Sequence, residues 1–240
     1  METAFTNQSI TPFLVMDVME KANALAAQGR SIIHLEVGEP DFDTPECVRA
    51  ACVKALEEGK THYTHSLGVP ELREAICDHY RKTYGVGVEP DQVLVTAGSS
   101  PALLIAIACL AGPGDEVILT DPYYACYPNF IRVLGAAARL IPTGSDDGFQ
   151  LSPQKVKRAL RTSVKAVVVN SPANPTGVCL DDEHLKDLCS LGLPIISDEI
   201  YHGLVYTGTQ HTILEYTENA VVVNGFSKAY AMTGWRLGWA

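Results

Sequence analysis

A chain of 240 residues, 47% hydrophobic and 19% charged, can bury one large core or two unequal domains, and the composition is that of an ordinary soluble globular protein. The formal charge of -10 and the absence of any Lys/Arg cluster argue against nucleic acid or an anionic membrane as the main partner. Small-molecule chemistry is the better default.

Met1 to Phe5 lacks the basic region and apolar core of a secretory signal. Leu14 to Gln28 carries apolar residues at 14, 15, 18, 22, 25 and 26, the spacing of an amphipathic helix that Gly29 stops. Ser31 to Leu35 reads as a short strand, and Gly38 to Pro45 is turn chemistry throughout. Thr44 is placed to cap a helix over 46–58, with Pro45 at its first position and Gly59 after its end. A loop containing Tyr63 follows, then a helix from Val69-Pro70 to near Gly85.

Strands and helices then alternate. Val93 to Val95 is a strand, followed by a helix over 101–111. No charged residue stands between Val93 and Pro113, but Gly98-Ser99-Ser100-Pro101 interrupts the run, and Ala102 to Ala111 is too short to cross a bilayer. Strands at 116–119, 138–141, 166–170, 194–198, 220–224 and 235–240 alternate with helices at 123–135, 153–161 and 181–191. The pattern predicts an α/β fold with three layers: a mostly parallel, seven-stranded sheet covered by helices on both faces. The chain stops at Ala240, inside or just after the last strand, where a domain normally closes with a cap or helix, so a cut end is expected.

Seven cysteines, Cys47, Cys52, Cys77, Cys109, Cys126, Cys179 and Cys189, form no Cys-x-x-Cys pair or metal-ribbon spacing. They read as reduced, mostly structural residues of a cytoplasmic protein, with no metal site. His62 and His65, the only close histidine pair, read as loop surface.

Polar groups gather at the strand ends, where open α/β sheets bind ligands. Gly98-Ser99-Ser100-Pro101 offers an N-cap Ser100 and Pro101 at the first helical position, with free N–H groups and hydroxyls that suit a phosphate, although any capped helix looks similar. Asn170 to Gly177 reads as a plain turn, or as a rigid frame from which an Asn amide donates to an oxyanion. Asp198 ends an apolar strand, where an unpaired carboxylate is costly, so it needs a cation: an internal Arg or a cofactor pyridinium. Tyr201 presents its phenol on the same side if the chain turns into a helix there. The β-branched run Ala220-Val221-Val222-Val223 delivers Ser227 and Lys228 at its end. A loop lysine is ordinarily solvated, but a buried one can be a Schiff-base nucleophile. Arg236 suits a bidentate phosphate contact, or an ordinary salt bridge.

The succession Gly-Glu-Pro-Asp-Phe-Asp-Thr-Pro (38–45), Tyr63, Asn-Pro-Thr-Gly (174–177), Ser-Asp-Glu-Ile-Tyr (197–201) and Ser-Lys-Ala-Tyr-Ala-Met-Thr-Gly-Trp-Arg (227–236) resembles the class I aminotransferases. These are fold-type I pyridoxal-phosphate enzymes of the aspartate aminotransferase superfamily. The resemblance runs from about residue 10 to the end. It implies that Lys228 holds pyridoxal 5'-phosphate as a Schiff base and carries the proton at the substrate α-carbon. Asp198 would pair with the pyridinium nitrogen, so that the ring acts as an electron sink. Asn174 and Tyr201 would bond the ring hydroxyl oxygen. Gly98, Ser99, Ser100, Ser227 and Arg236 would bind the phosphate, and Tyr124 would stack on the ring face.

Tyr63 would reach the phosphate of a neighbouring subunit, which implies a homodimer. Gly38, with Asn174, would face substrate, and cis peptides are implied before Pro122 and Pro175. Residues 1–44 would be an N-terminal arm, helix and substrate loop belonging to a small domain, and 45–240 the pyridoxal-phosphate-binding large domain. Relatives continue far beyond this last strand, and their continuation carries the arginine that grips the substrate carboxylate; no residue up to 240 matches it. The resemblance thus implies transfer of an amino group between an L-amino acid and a 2-oxo acid. β-Elimination or ring closure of the aminocyclopropane-carboxylate type, or a cofactor-binding chain with impaired turnover, remains open.

Overall fold

The computed structural model describes Ile10 and residues 12–240; residues 1–9 and 11 of the expected arm lie outside the described residues. The sheet is built from β1 (Val95–Thr96), β2 (Glu116–Asp121), β3 (Ala137–Pro142), β4 (Val164–Asn170), β5 (Ile195–Asp198), β6 (Ala220–Gly225) and β7 (Gly238–Trp239). Its order is β1-β7-β6-β5-β4-β2-β3. Neighbours from β6 to β3 run parallel, and β7 is antiparallel to both β6 and β1. The expected seven-stranded, mostly parallel sheet is therefore present.

Side chains alternate between faces along each parallel strand, and both faces are buried, as βαβ connections require. Val167 and Val169 of β4 and Ile195 of β5 pack with Ile76 and Tyr80 of α3 (Pro70–Tyr84), Val156 of α6 (Pro153–Ala159) and Leu185 of α7 (Asp182–Ser190). Ala166, Val168 and Ile196 pack the other way, with Leu103 and Ile107 of α4 (Ser99–Leu110) and Ile131 of α5 (Tyr127–Val133). Among the described residues no helix is long and apolar enough to cross a membrane.

Several elements differ from the sequence expectation. Residues 31–35 form no strand, because a strand needs a ladder partner and none pairs with them here; Ile33 and Leu35 are 85% and 89% exposed. The helix expected over 123–135 begins only at Tyr127, because Pro128 has no N–H and fits the first turn rather than the interior of a longer helix. α4 starts at Ser99, capped by Gly98 rather than by Ser100, since Gly98 takes a φ of 93° that other residues avoid. Arg236 stands in the left-handed region, so the last strand shortens to Gly238–Trp239. Of the cysteines only Cys77 is buried, while Cys47, Cys109 and Cys179 are exposed; all seven are free thiols.

α1 (Leu14–Ala27) and α2 (Glu46–Glu57) bury no residue completely. Thr44 does not cap α2; its hydroxyl donates to the Ala231 carbonyl and accepts from Trp235 Nε1 at 2.9 Å. The segment before α2 is thereby fastened to the loop that follows β6.

Candidate active site

The C-terminal ends of β4, β5 and β6 lie side by side, with Asn170 opposite Asp198 and Asp198 opposite Val223. Asp198 points toward the α4–α5 face and is 4% exposed. Tyr127 donates its hydroxyl to Asp198 Oδ2 at 2.6 Å, and the Ile200 N–H donates to Oδ1 at 3.2 Å. Neither partner carries positive charge, and burial pushes the carboxyl up to about 6. No internal Arg answers it among the described residues, which removes the ordinary alternative for its partner.

Asn170 ties this strand end to the loop after β4. Its amide donates to the Asp198 carbonyl at 2.9 Å and its oxygen accepts the Asn174 N–H at 2.7 Å. Asn174 in turn donates to the Tyr201 hydroxyl at 3.3 Å. Peptide bonds before Pro122 and Pro175 are cis, as expected, and so is the one before Pro172. Tyr201 sits in a turn rather than a helix, and its ring lies 6.0 Å from Lys228 Nζ.

Lys228 follows β6 and donates to the Gly38 carbonyl at 2.7 Å. Burial holds its amine below the usual lysine range, and neighbouring Arg236 adds to that effect against the opposing pull of Glu39. The lysine, the aspartate, the tyrosine and the asparagine thus share one edge of the sheet.

The N-terminus of α4 forms a second part of the site. A Cβ on Gly98 would overlap Arg236 Nη2, and a Cβ on Gly238 would stand 2.8 Å from the Ser99 nitrogen. Two glycines therefore let the guanidinium approach Gly98 and let β7 pack against the Ser99 nitrogen, at a helix N-terminus of the kind that suits an anion. Arg236 is held by its bond to the Thr233 carbonyl at 2.7 Å, and Ser227 is buried nearby in sequence at the end of β6. Tyr124 stands edge-on to Tyr127, with ring centroids 5.3 Å apart. Tyr63 is fully exposed and makes none of these contacts.

The sequence reading missed Tyr127, which holds Asp198, and placed Asn170 in the 170–177 frame without giving it the part it plays in holding Asn174. Their signal was present in kind, since a buried carboxylate must find donors, but finding them requires the strand register. It also missed Glu199 and His202, which point to the opposite face. Among the described residues no group of three or more His, Cys, Asp or Glu stands together in a way that could hold a metal ion.

A buried carboxylate without a cation and an amine of lowered basicity, both at the ends of neighbouring parallel strands, suit a ligand bringing a positively charged ring nitrogen and an electrophilic carbonyl carbon. The cradle at Gly98 and Arg236 suits that ligand's phosphate. Together they define an α/β protein with a lysine-centred site at the carboxyl edge of its sheet. The sequence model of aminotransferase class I and II matches residues 30–240, and the chain belongs to that family. It is 44% identical over 231 residues to the (5-formylfuran-3-yl)methyl phosphate transaminase of Methanocaldococcus jannaschii, a match covering 95% of this chain and 60% of that protein. It is 41% identical to the aspartate/prephenate aminotransferase of Thermus thermophilus, covering 97% of this chain and 62% of that one. The aspartate aminotransferase structure from Thermus thermophilus with maleate superimposes with a TM-score of 0.93 at 41% identity, over 97% of this chain and 62% of the other. The chain thus spans about three fifths of the length of these relatives.

Proposed function

We propose that the protein is a pyridoxal-phosphate-dependent aminotransferase that moves an amino group between an L-amino acid and a 2-oxo acid. The observation that carries this reading is the buried carboxylate of Asp198, without a cationic partner, on the same sheet edge as Lys228. The relatives' own activities, those of a transaminase and of an aspartate/prephenate aminotransferase, support it. When bound, pyridoxal 5'-phosphate supplies an electron sink for the electrons left at the substrate α-carbon.

Lys228 would hold the cofactor through its amine and would carry the proton moved at the substrate α-carbon. Its lowered basicity leaves the amine closer to the neutral, nucleophilic form at working pH. Asp198 would keep a positive charge on the ring nitrogen, and Asn174 and Tyr201 would bond the ring oxygen. Ser99, Ser100, Ser227 and Arg236 would hold the phosphate, with Gly98 making room, and Tyr124 would pack against the ring. Gly38, whose carbonyl accepts from Lys228, belongs with Asn174 to the wall that meets substrate.

The same reading makes 45–240 the cofactor-binding large domain and 1–44 the arm, helix and substrate loop of a small one. It takes the working form to be a cytoplasmic homodimer, with Tyr63 reaching the partner's phosphate. Loading with pyridoxal 5'-phosphate, reduction with borohydride and peptide mapping test it. The pyridoxyl group is expected on Lys228, with bleaching of the bound cofactor's colour by amino donors before reduction; a label on another lysine overturns the assignment.

A further inference from the structure

Asp198 and Tyr201 face the proposed cofactor site, and the residues between and beside them, Glu199 and His202, face the other way. Glu199 is 1% exposed and His202 7%. Glu199 Oε1 accepts three bonds, from Ser197 Oγ at 3.0 Å, Thr212 Oγ1 at 3.0 Å and the Ile213 N–H at 2.9 Å. Glu199 Oε2 is buried without a hydrogen bond and lies 3.4 Å from His202 Nδ1. That nitrogen is 2.8 Å from the Tyr84 hydroxyl, which itself accepts from Gln210 Nε2 at 2.8 Å. The His202 ring also feels the Ser171 backbone, in the loop that carries Asn174.

A buried carboxylate oxygen without a donor is costly, and an apolar residue in its place would avoid the cost. We infer that Glu199 and His202 form a positioning pair behind the site, which shares a proton and fixes the Asp198–Tyr201 turn against α3 and the loop after β4. Burial pushes the Glu199 carboxyl up to about 7 and the His202 imidazole down to about 4, so a proton between Nδ1 and Oε2 relieves both. The titratable groups facing the pair are Asp198 on β5, Tyr80, Tyr84 and His79 on α3, and Glu215 beyond Ile213. None of them supplies a fixed positive charge at neutral pH. The consequence is electronic as well as mechanical, because Tyr201 is placed by a turn gripped on both sides. Loosening the pair weakens the Tyr201 and Asn174 bonds to the ring oxygen.

The inference rests on the reading of Asp198, Tyr201 and Asn174 as cofactor ligands, so its test has one measurement with the cofactor and one without. In unloaded protein, Glu199→Gln and Tyr84→Phe are expected to speed amide exchange about tenfold over 171–174 and 200–203, with α6 unchanged. In loaded protein, the pH midpoint of the bound cofactor's visible absorption is expected to rise by about one unit, the loss of roughly one bond to a charged group. Faster exchange confined to 210–215 with the midpoint unmoved means a merely structural role and overturns the inference, as does unchanged exchange. If Glu199→Gln does not fold, Tyr84→Phe, which removes one half-buried hydroxyl, decides by the same measurements. If the wild-type chain takes no cofactor, the proposed function fails, and the exchange pattern still decides the inference.

Discussion

Arg236 occupies the space that a side chain at residue 98 would need: a Cβ on Gly98 would overlap its Nη2 and stand 3.1 Å from its Cζ. Gly98 has a φ of 93°, which penalises other residues independently of space. The two effects are separable. Gly98→Ala is expected to displace the guanidinium and weaken pyridoxal-phosphate binding by about tenfold or more, with a stability cost of about 1 kcal/mol or above. Gly59→Ala is the comparison, since Gly59 has a φ of 70° with nothing within 4 Å. Cofactor titration and thermal melts of both variants check this; equal cofactor affinities would mean that strain, not crowding of Arg236, is what the glycine relieves.

Asp198 is expected to trade stability for chemistry. With its carboxyl pushed up to about 6 by burial, it is largely ionised at pH 8, where the desolvation cost is greatest. Asparagine removes that charge and still accepts from Tyr127. Asp198→Asn should melt no lower than wild type at pH 8 without cofactor. In the loaded protein the rate at which amino donors bleach the cofactor should drop about 10²- to 10³-fold. A variant that is both less stable and equally fast would contradict the role given to this carboxylate.

How much of this was legible in the sequence depends on the range of the interaction. Lys228 at the end of Val221-Val222-Val223 and Asp198 at the end of Ile195-Ile196 were legible, because an apolar run followed by a charge states its own conflict locally. The parallel sheet was legible for the same reason, through repeated short β-branched strands. Tyr127 was not, because its place depends on where α5 begins, and Pro128 settles that only once the irregular stretch after Pro122 is known. Nor was the Glu199–His202 pair. Adjacent residues Asp198 and Glu199 look alike in sequence, and only the alternation of faces carried from the end of β5 into Glu199, whose N–H bonds the Val223 carbonyl, sends them to different sides. Ser31 to Leu35 failed as a strand because β-propensity is a preference for a pleated, half-buried surface, and no neighbour provides one here.

Tyr127 is the donor that keeps the Asp198 carboxyl from rising further. Tyr127→Phe removes that hydroxyl and leaves Oδ2 unbonded, so the acidity of Asp198 weakens. Since the ionised form is the working one, activity is lost at a higher pH than in wild type. The acid limb of the bleaching-rate profile should move up by about one unit while the rate at pH 8 to 9 changes by only about threefold. An unmoved acid limb would show that some other group controls it.

Glu199 also sets a slope in stability. Its carboxyl is pushed from 4.5 to about 7 in the folded protein, so between those values the native state binds the proton that the unfolded chain has released. Stability from this group is therefore present at low pH and lost as pH rises toward 7. His202, pushed down from 6.5 to about 4, works in the opposite direction across an overlapping window, gaining stability as pH rises. Glu199→Gln deletes the first effect and keeps the second. The unfolding free energy of the unloaded variant, relative to wild type at the same pH and followed by melts, should rise steadily from pH 5 to pH 7, by an amount on the order of 2 kcal/mol across the window. Taking the difference cancels the exposed carboxylates, which titrate alike in both proteins. A difference that stays flat from pH 5 to pH 7 would mean that the carboxyl is already ionised at pH 5. The proton between Oε2 and Nδ1 would then have to reside on the imidazole.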